Sequence, residues 1–186
     1  MAGNVVNGMD GDTLYSSKVG FINPAVGYEI KDNKTKEVSQ GSDKVTISAA
    51  QSNKIKEIEE DVFDLTNEVR SDYGLKTLKH DVRASNAARA HAEDMLKRNY
   101  FSHTSPNGTS HMDRLNQAGV DPKIAGENIG MVFNPGLKLD IPELLMEGWI
   151  NSPEHAENIF NPYWRYSGVG TAMYNNKTTV AQEFYA

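Results

Sequence analysis

The stretch Ala125–Asn161, AGENIGMVFNPGLKLDIPELLMEGWINSPEHAENIFN, contains one strand pattern and two helix starts in a short span. Ile129, Met131 and Phe133 recur at every second position, which is the pattern of a half-buried strand. Glu127 stands at the entry to this strand, after a glycine that permits a close or unusual backbone path. A carboxylate in a buried strand usually has a partner, because an isolated buried charge is costly. Glu127 is therefore a candidate site residue.

The second half of the stretch predicts two consecutive helices. Asp140 is a candidate N-cap, and Glu143 three positions later completes a capping-box pattern. Ser152 followed by Pro153 predicts the start of a second, short helix, because proline is favoured at the first helical position. His155 then lies in the first turn of a rigid element. The first helix has one apolar face, which we expect to be buried: Ile141, Leu144, Leu145, Gly148 and Trp149.

Further helices precede this stretch, and two strand patterns follow it. Apolar residues at spacings of three and four predict a helix over residues 53–73. A second helix, rich in small residues that allow close packing, is predicted between Asp81 and Asn99, and Ser110 caps a short third one. The runs GVGTAMY and KTTVAQEFY flank Asn175–Asn176, a two-residue turn suited to a hairpin. Helices followed by antiparallel strands indicate the α+β class.

The N-terminal part of the chain has a different composition. Residues 1–18 are rich in Gly, Asn, Asp and Ser and have too few apolar side chains to offset the entropy of ordering them, so we expect a tail. Residues 19–48 contain short β-prone runs, which predict either a few strands or an extended arm. We therefore divide the chain into residues 1–52, a tail and arm or the remnant of an upstream module, and residues 53–186, a single domain.

Composition excludes several classes of protein. The net charge is −6 and no basic stripe is present, which argues against a nucleic-acid partner. The absence of cysteine excludes disulfides and thiolate chemistry. The sequence contains no run of 18 apolar residues and therefore predicts no transmembrane segment. The polar N-terminus does not have the pattern of a signal peptide, so a secreted protein would lack its signal segment in this sequence.

Five motifs, in this order, resemble the bacterial branch of the CAP superfamily, also known as SCP-like extracellular domains: NYFSHTSPNGTS, AGENIG, WINSPEHAENIFNP, GVGTAMY and VAQEFY. The resemblance covers about residues 53–186. It implies an α-β-α sandwich, in which helices cover both faces of a small, mainly antiparallel sheet. It also implies an extracellular or cell-surface location. Eukaryotic members are rich in disulfides, and this cysteine-free chain departs from them.

The resemblance also implies a cavity that holds two histidines and two acidic residues. His103 and His155 match the two histidines, and Glu127 matches one of the acids. The second acid, expected shortly after the tryptophan of the central helix, has no match. Ser152, Glu154 or no side chain at all fills that space.

Other polar and aromatic residues have simpler interpretations beside the functional one. Asn128 and Asn158 resemble cavity-lining positions of the family, but an asparagine can also simply close a turn. Glu154 is most simply a surface acid in a first helical turn. The remaining histidines, His80, His91 and His111, are expected to be structural or exposed, and Trp149 and Trp164 to be packing residues.

Two imidazoles and a carboxylate can bind Zn²⁺ with an open coordination position, or act as general acid and base. We expect His103, Glu127 and His155 to converge on one cavity that binds Zn²⁺ or another divalent metal, without an organic cofactor. The first functional hypothesis is a monomeric binding module for a small ligand, a peptide or a cell-surface component. The second is a hydrolase that uses a metal or these three residues on peptide or cell-wall material. The missing second acid favours the first.

Overall fold

The computed structural model describes residues 48–133 and 139–186. The tail and most of the arm expected from the sequence lie outside these residues. The helices are α1 (Ala49–Asp72), α2 (Val82–Arg98), α3 (His111–Gln117), α4 (Ile141–Ile150) and α5 (Pro153–Phe160). The strands are β1 (Lys79–His80), β2 (Ala125–Phe133), β3 (Tyr166–Tyr174) and β4 (Lys177–Tyr185). Within the described ranges, none of these helices has both the length and the apolar character needed to cross a membrane.

The N-caps explain where the helices begin. The side chain of Asp81 accepts a hydrogen bond from the first turn of α2, and that of Asp140 does the same for α4. Ser110 and Asp113 form a complete capping box at α3. These three starts confirm the predictions. Helix α1 begins earlier than predicted, because Ser48 caps it with its hydroxyl group although the apolar periodicity starts only later.

The four strands form one sheet in the order β1-β3-β4-β2. Strand β4 pairs antiparallel with both β3 and β2, and the turn between β3 and β4 contains Asn175 with φ of 53°. The predicted hairpin is therefore confirmed. Strand β1 was not predicted, and it pairs parallel with β3 through only Lys79 and His80. The fold is α+β, as the sequence predicts.

One face of the sheet, which we name the core face, packs against α1, α4 and α5. Trp149 is fully buried there, and its indole Nε1 donates a hydrogen bond to the carbonyl of Ile129 at 3.0 Å. The main apolar cluster combines residues of these helices with alternate residues of β2, β3 and β4: Ile58, Val62, Val132, Ile141, Leu145, Met146, Trp149, Ile159, Val169 and Val180. Burial of this cluster contributes to the hydrophobic driving force for folding.

The opposite face, which we name the charged face, packs against α2 and α3. Here the backbone of α2 lies directly on β3 because the strand has glycine at the contact. A Cβ atom on Gly168 would lie 2.2 Å from the amide nitrogen of Ser85, and one on Gly170 would lie 1.9 Å from that of Arg89. This close approach confirms the role predicted for the small residues of α2.

Candidate functional site

Glu127 and His103 form a buried ion pair or hydrogen bond on the charged face. The His103 Nδ1 atom lies 2.8 Å from Glu127 Oε1. The Glu127 side chain is 0% exposed, whereas that of His103 is 35% exposed. Because a carboxylate only accepts hydrogen bonds, this contact places a proton on Nδ1 of His103. Nε2 is then the nitrogen through which His103 would bind a metal or accept a proton.

Two further charged residues, absent from the site predicted from the sequence, complete this cluster. Arg114, on α3, donates from Nη2 to Glu127 Oε2 at 2.6 Å. Its Nε atom lies 3.7 Å from Oε1 of Glu183. Glu183 is directly opposite Glu127 in the pairing of β2 with β4. The cluster therefore contains a second acid, Glu183, which lies on β4.

The two glutamates have opposite protonation preferences. Burial by itself would raise the pKa of Glu127, but the hydrogen bond from His103 and the charge of Arg114 outweigh it, so the pKa is lowered. Burial raises the pKa of Glu183 well above its usual range, and the negative charge of Glu127 raises it further. The single guanidinium of Arg114 therefore favours the ionised form of Glu127, whereas burial and the charge of Glu127 favour the protonated form of Glu183.

The neighbouring histidines, His91 and His111, have pKa values shifted toward the neutral ring. Burial lowers the pKa of both rings. His91 Nε2 lies 3.0 Å from the carbonyl of Ser102, to which it donates, and 3.9 Å from Glu127 Oε2. His80 is exposed and lies away from this cluster, with Nε2 2.9 Å from the hydroxyl of Ser85. His91 thus borders the cluster as a satisfied buried residue, as expected.

His155 is buried beside Trp149, within the elements that cover the core face. Its ring stacks on the Trp149 indole with centroids 6.5 Å apart. Its Nδ1 atom lies 2.9 Å from the hydroxyl of Ser152. Ser152 is at the N-cap position of α5, as predicted, but its side chain makes no capping hydrogen bond there. The hydroxyl instead lies within hydrogen-bond distance of Nδ1 and so orients the His155 ring.

Asn128 and Asn158 connect β2 to α5. Asn128 Nδ2 donates to the carbonyl of His155 at 3.1 Å. Asn158 Nδ2 donates to the carbonyl of Glu127 at 3.0 Å and to Asn128 Oδ1 at 2.9 Å. The two amides therefore hold the His155 turn against the strand that carries Glu127. Glu154, named as a possible cavity residue, is exposed in the first turn of α5.

The side chains of Glu127 and Asn128 leave opposite faces of β2, because successive residues of a strand alternate. Glu127 meets His103 and Arg114 on the charged face, while Asn128 meets the segment that carries His155 on the core face. The structure thus brings His103 and Glu127 together and attaches His155 to the same strand. Binding of one ligand by both rings stays a prediction.

Both carboxylate oxygens of Glu127 already accept hydrogen bonds from His103 and Arg114, so a metal bound by this carboxylate would compete with these two donors. Among residues 48–133 and 139–186, no group of three or more His, Cys, Asp or Glu side chains is arranged to hold a metal ion. Glu127 fits the role of an outer acceptor that orients the ring of His103. The two imidazoles are the groups that could contact a metal directly.

Of the two residues that sequence reasoning missed, Glu183 has a weak sequence signal and Arg114 has none. Glu183 is an acid inside VAQEFY, a strand whose residues 178–185 are all buried. A charge at such a position indicates a buried partner. Arg114 follows a capped helix start and precedes the buried Leu115, but its spacing to Glu127 carries no periodicity that would predict their contact.

Comparison with known families and structures places this fold. The model of the CAP family, described as the cysteine-rich secretory protein family, matches residues 63–185. The protein YkwD of Bacillus subtilis (strain 168) is 37% identical over 129 residues, which are 69% of this chain and 48% of YkwD. The membrane protein YlbC of the same organism is 38% identical over 112 residues, 60% of this chain and 31% of YlbC. The chain thus spans less than half the length of these relatives.

Solved structures agree with the family model. An extracellular protein containing an SCP domain from Bacillus anthracis has a TM-score of 0.60 and 31% identity, over 75% of this chain and 44% of that one. An outer surface protein of Borrelia burgdorferi has a TM-score of 0.62 and 21% identity, over 70% and 92% of the respective chains, which shows a common fold. The family match and the shared architecture together show that this chain belongs to the CAP family.

Proposed function

We propose that this CAP domain is part of an extracellular or cell-surface protein and acts as a binding module, in which His103 presents Nε2 to a divalent metal or a small ligand. The observation that carries the proposal is the Glu127 carboxylate, whose two oxygens are held by His103 and Arg114 at 2.8 and 2.6 Å. This carboxylate fixes the orientation of a ring that is itself partly exposed. An oriented imidazole at the surface of a buried charge cluster is a group prepared for a ligand.

The cost of the cluster supports a functional origin. Taking charged groups out of water costs several kcal/mol per ion, and a well-packed apolar replacement is often neutral or stabilising. Three buried acidic or basic side chains, Glu127, Glu183 and Arg114, nevertheless lie together on the charged face. Their presence in the interior is better explained by a binding role of His103 than by a contribution to stability.

The proposed location has its support in one relative. The Bacillus anthracis protein is described as extracellular and has 31% identity to this chain. A net charge of −6 and a cysteine-free sequence are compatible with a bacterial surface protein that is not stabilised by disulfides. Peptides, small molecules and cell-surface components are the partners that we propose for such a domain, which we expect to be monomeric.

Zn²⁺ is a suitable probe of the site, since imidazole is among its preferred ligands. His103 would bind it through Nε2, and His155 would be the second ligand if the two rings share an ion. When bound, the metal would supply a Lewis-acidic centre with open positions for a ligand or water. With two imidazoles and no thiolate, the site would be weaker than a structural zinc site.

A hydrolase is the second candidate, because a histidine oriented by a glutamate can also act as a general base. The His103–Glu127 pair has the geometry for this role. The second acid, Glu183, is fully buried and faces Arg114, so it is poorly placed to protonate a leaving group of a bound substrate. The binding role therefore has the stronger support.

Calorimetric titration with Zn²⁺ at pH 7 and pH 5.5 tests the binding role. We expect His103→Ala to weaken binding at least about 10-fold, and the wild type to bind more weakly at pH 5.5, because protons compete for the imidazole. His80→Ala is the matched control, since this exposed histidine hydrogen-bonds to Ser85 and contacts the Phe63 ring. Equal affinity of wild type and His103→Ala would contradict the proposal. An effect of His155→Ala as large as that of His103→Ala would support a shared ion.

The hydrolase is tested with a panel of peptides and peptidoglycan fragments, with and without Zn²⁺ and a chelator. Cleavage that is lost in both His103→Ala and Glu127→Gln, but kept in His80→Ala, would establish the hydrolase. If no peptide or peptidoglycan fragment is cleaved but Zn²⁺ binds, the result would support the binding module.

A further inference from the structure

Arg114 connects His103 to the sheet through contacts with four different groups. Its Nη2 atom donates to Glu127 Oε2 at 2.6 Å and to the backbone carbonyl of His103 at 3.0 Å. Its Nη1 atom donates to the carbonyl of Thr109 at 3.2 Å. Its Nε atom lies 3.7 Å from Glu183 Oε1. The guanidinium of Arg114 thus contacts the Glu127 carboxylate, which holds the His103 ring. It also contacts the backbone at both ends of residues 103–109.

This segment, residues 103–109, has neither helix nor strand structure and depends on turn contacts. The Ser105 amide donates to the carbonyl of Thr109 at 3.0 Å, and the Gly108 amide donates to that of Ser105 at 2.8 Å. These bonds close the loop on itself but do not attach it to the sheet. Arg114 provides such an attachment, through the carbonyls at the two ends of the loop and the carboxylate on β2.

The position of Arg114 on α3 makes the attachment rigid. The helix starts at the capping box of Ser110 and Asp113, directly after the loop. Leu115, next to Arg114, is fully buried in an apolar cluster with α2 and β4. The Arg114 side chain is 7% exposed, so it reaches its partners across the interior rather than through solvent. A guanidinium suits this task because its planar donors can serve several acceptors at once, which an ammonium group cannot do in the same geometry.

We propose that Arg114 is the positioning residue of this site: it orients Glu127 and holds the 103–109 loop, so that His103 keeps its proton on Nδ1 and directs Nε2 to the ligand. The identity of that ligand rests on the proposed function, whereas the orientation of the ring does not. Arg114 itself contacts no ligand in this proposal. Its role is exerted through Glu127 and through the loop.

The first experiment measures the ring of His103 in the metal-free full chain by ¹⁵N NMR of the imidazole nitrogens. We expect the wild type to show the Nδ1–H tautomer. Arg114→Met should lose this preference, because Glu127 loses the donor that fixes it, while Arg114→Lys should largely keep it. Arg89→Met is the matched control: Arg89 makes a comparable pair with Glu59, at 2.9 and 2.6 Å, without contacting a site histidine. It should leave the His103 tautomer unchanged.

The second experiment measures hydrogen exchange of the Ser105 and Gly108 amides in Arg114→Lys. Lysine retains the charge but cannot reproduce the contacts to both loop carbonyls, so these amides should exchange several-fold faster than in the wild type. In Arg89→Met they should not change. This measurement decides the proposal even if Arg114→Met does not fold.

The third experiment repeats the Zn²⁺ titration on the Arg114 variants. Loss of the direct partner of a ligating histidine usually costs about 10- to 100-fold in metal affinity. Arg114 acts one contact further out, through Glu127, so we expect a loss at the lower end of this range for Arg114→Met and a smaller one for Arg114→Lys. If the wild type does not bind Zn²⁺, the proposed function fails, and the tautomer and exchange measurements still test Arg114. A wild-type tautomer in a folded Arg114→Met variant, or unchanged loop exchange in Arg114→Lys, would overturn the proposal.

Discussion

The two faces of the sheet use the same three long strands for different purposes. On the core face, apolar residues of β2, β3 and β4 pack against α1, α4 and α5 around Trp149. On the charged face, the same strands carry Glu127 and Glu183, together with glycines that bring α2 into backbone contact. Alternation of side chains along each strand makes this separation possible.

The comparison shows how a small domain can contain a costly site. The core face supplies apolar burial, and the charged face includes buried charges that oppose it. Residues of the two faces can be adjacent in sequence, as Glu127 and Asn128 are, but their side chains lie on opposite sides of the sheet. Substitutions on the two faces should therefore differ in size and in pH dependence.

The largest effect is expected from Trp149→Ala on the core face. This change empties a fully buried aromatic site and removes a hydrogen bond to the Ile129 carbonyl. The expected loss of unfolding free energy is about 3–5 kcal/mol. Chemical denaturation measures it, with Tyr163→Ala as control, since Tyr163 is 72% exposed. A loss below about 1 kcal/mol would show that Trp149 is not a core residue in solution.

The second prediction compares one substitution on both faces. Gly170→Ala places a Cβ atom 1.9 Å from the backbone nitrogen of Arg89, which cannot move without shifting α2. Gly130→Ala places one 2.3 Å from a terminal methyl carbon of Leu145, which can adopt another rotamer. We expect a loss of about 2–3 kcal/mol for Gly170→Ala and about 1 kcal/mol for Gly130→Ala. Equal losses of stability for the two variants, measured by thermal and chemical denaturation, would refute the difference in packing.

The third prediction concerns pH. The pKa of Glu183 is raised by burial and by the charge of Glu127, so its folded form is protonated where the unfolded form ionises. Its contribution to stability is therefore complete below the unfolded pKa of about 4.3 and decreases as pH rises toward the folded pKa. Glu183→Gln removes the ionisable group and therefore the loss of stability as pH rises. We expect the variant to be more stable than the wild type at pH 7, by on the order of 1 kcal/mol, with a smaller difference at pH 4.

Glu127→Gln is the contrasting variant for that experiment. The pKa of Glu127 is lowered, because the hydrogen bond from His103 and the charge of Arg114 outweigh the opposing effect of burial. Its stabilisation is present above the unfolded pKa and is lost as pH falls toward the folded one. Glu127→Gln should therefore destabilise the protein at pH 7 and lose this effect in acid. The same pH profile in both variants would show that the two glutamates are equivalent.

The smallest effect is expected at the helix caps. Ser110 caps α3 with its hydroxyl, so Ser110→Ala should cost about 1 kcal/mol, and Ser110→Asn, which keeps an acceptor, should cost less. Ser152 makes no such cap, and Ser152→Ala should instead change the Nδ1 environment of His155 in NMR spectra. An equal loss from Ser110→Ala and Ser110→Asn would contradict the capping role.

Local chemistry made much of the fold predictable. The caps at Asp81, Ser110 and Asp140 lie next to the helices that they begin, so their signals are contained within a few residues. The hairpin at Asn175 has the same local character. Strand β1 was missed because it has only two residues and exists through pairing with β3, far away in the sequence.

The site was predictable only as far as motifs reach. His103 and Glu127 were identified, and their contact agrees with the expectation of a partner for the carboxylate. Arg114 and Glu183 were missed, since their proximity to Glu127 results from the packing of α3 and the register of β4. Strand alternation indicates which face Glu183 takes, but no local pattern indicates which residue it opposes.

The position of β4 also determines when the domain can fold. This strand lies between β3 and β2, yet it is the last of the four along the chain. During synthesis, β2 and β3 emerge before residues 177–185, the segment with which both pair along their whole length. We therefore expect nascent chains to remain without a sheet until this segment leaves the ribosome. A polypeptide interrupted before residue 177 would expose two unpaired strand edges, which favours aggregation and removal by quality control.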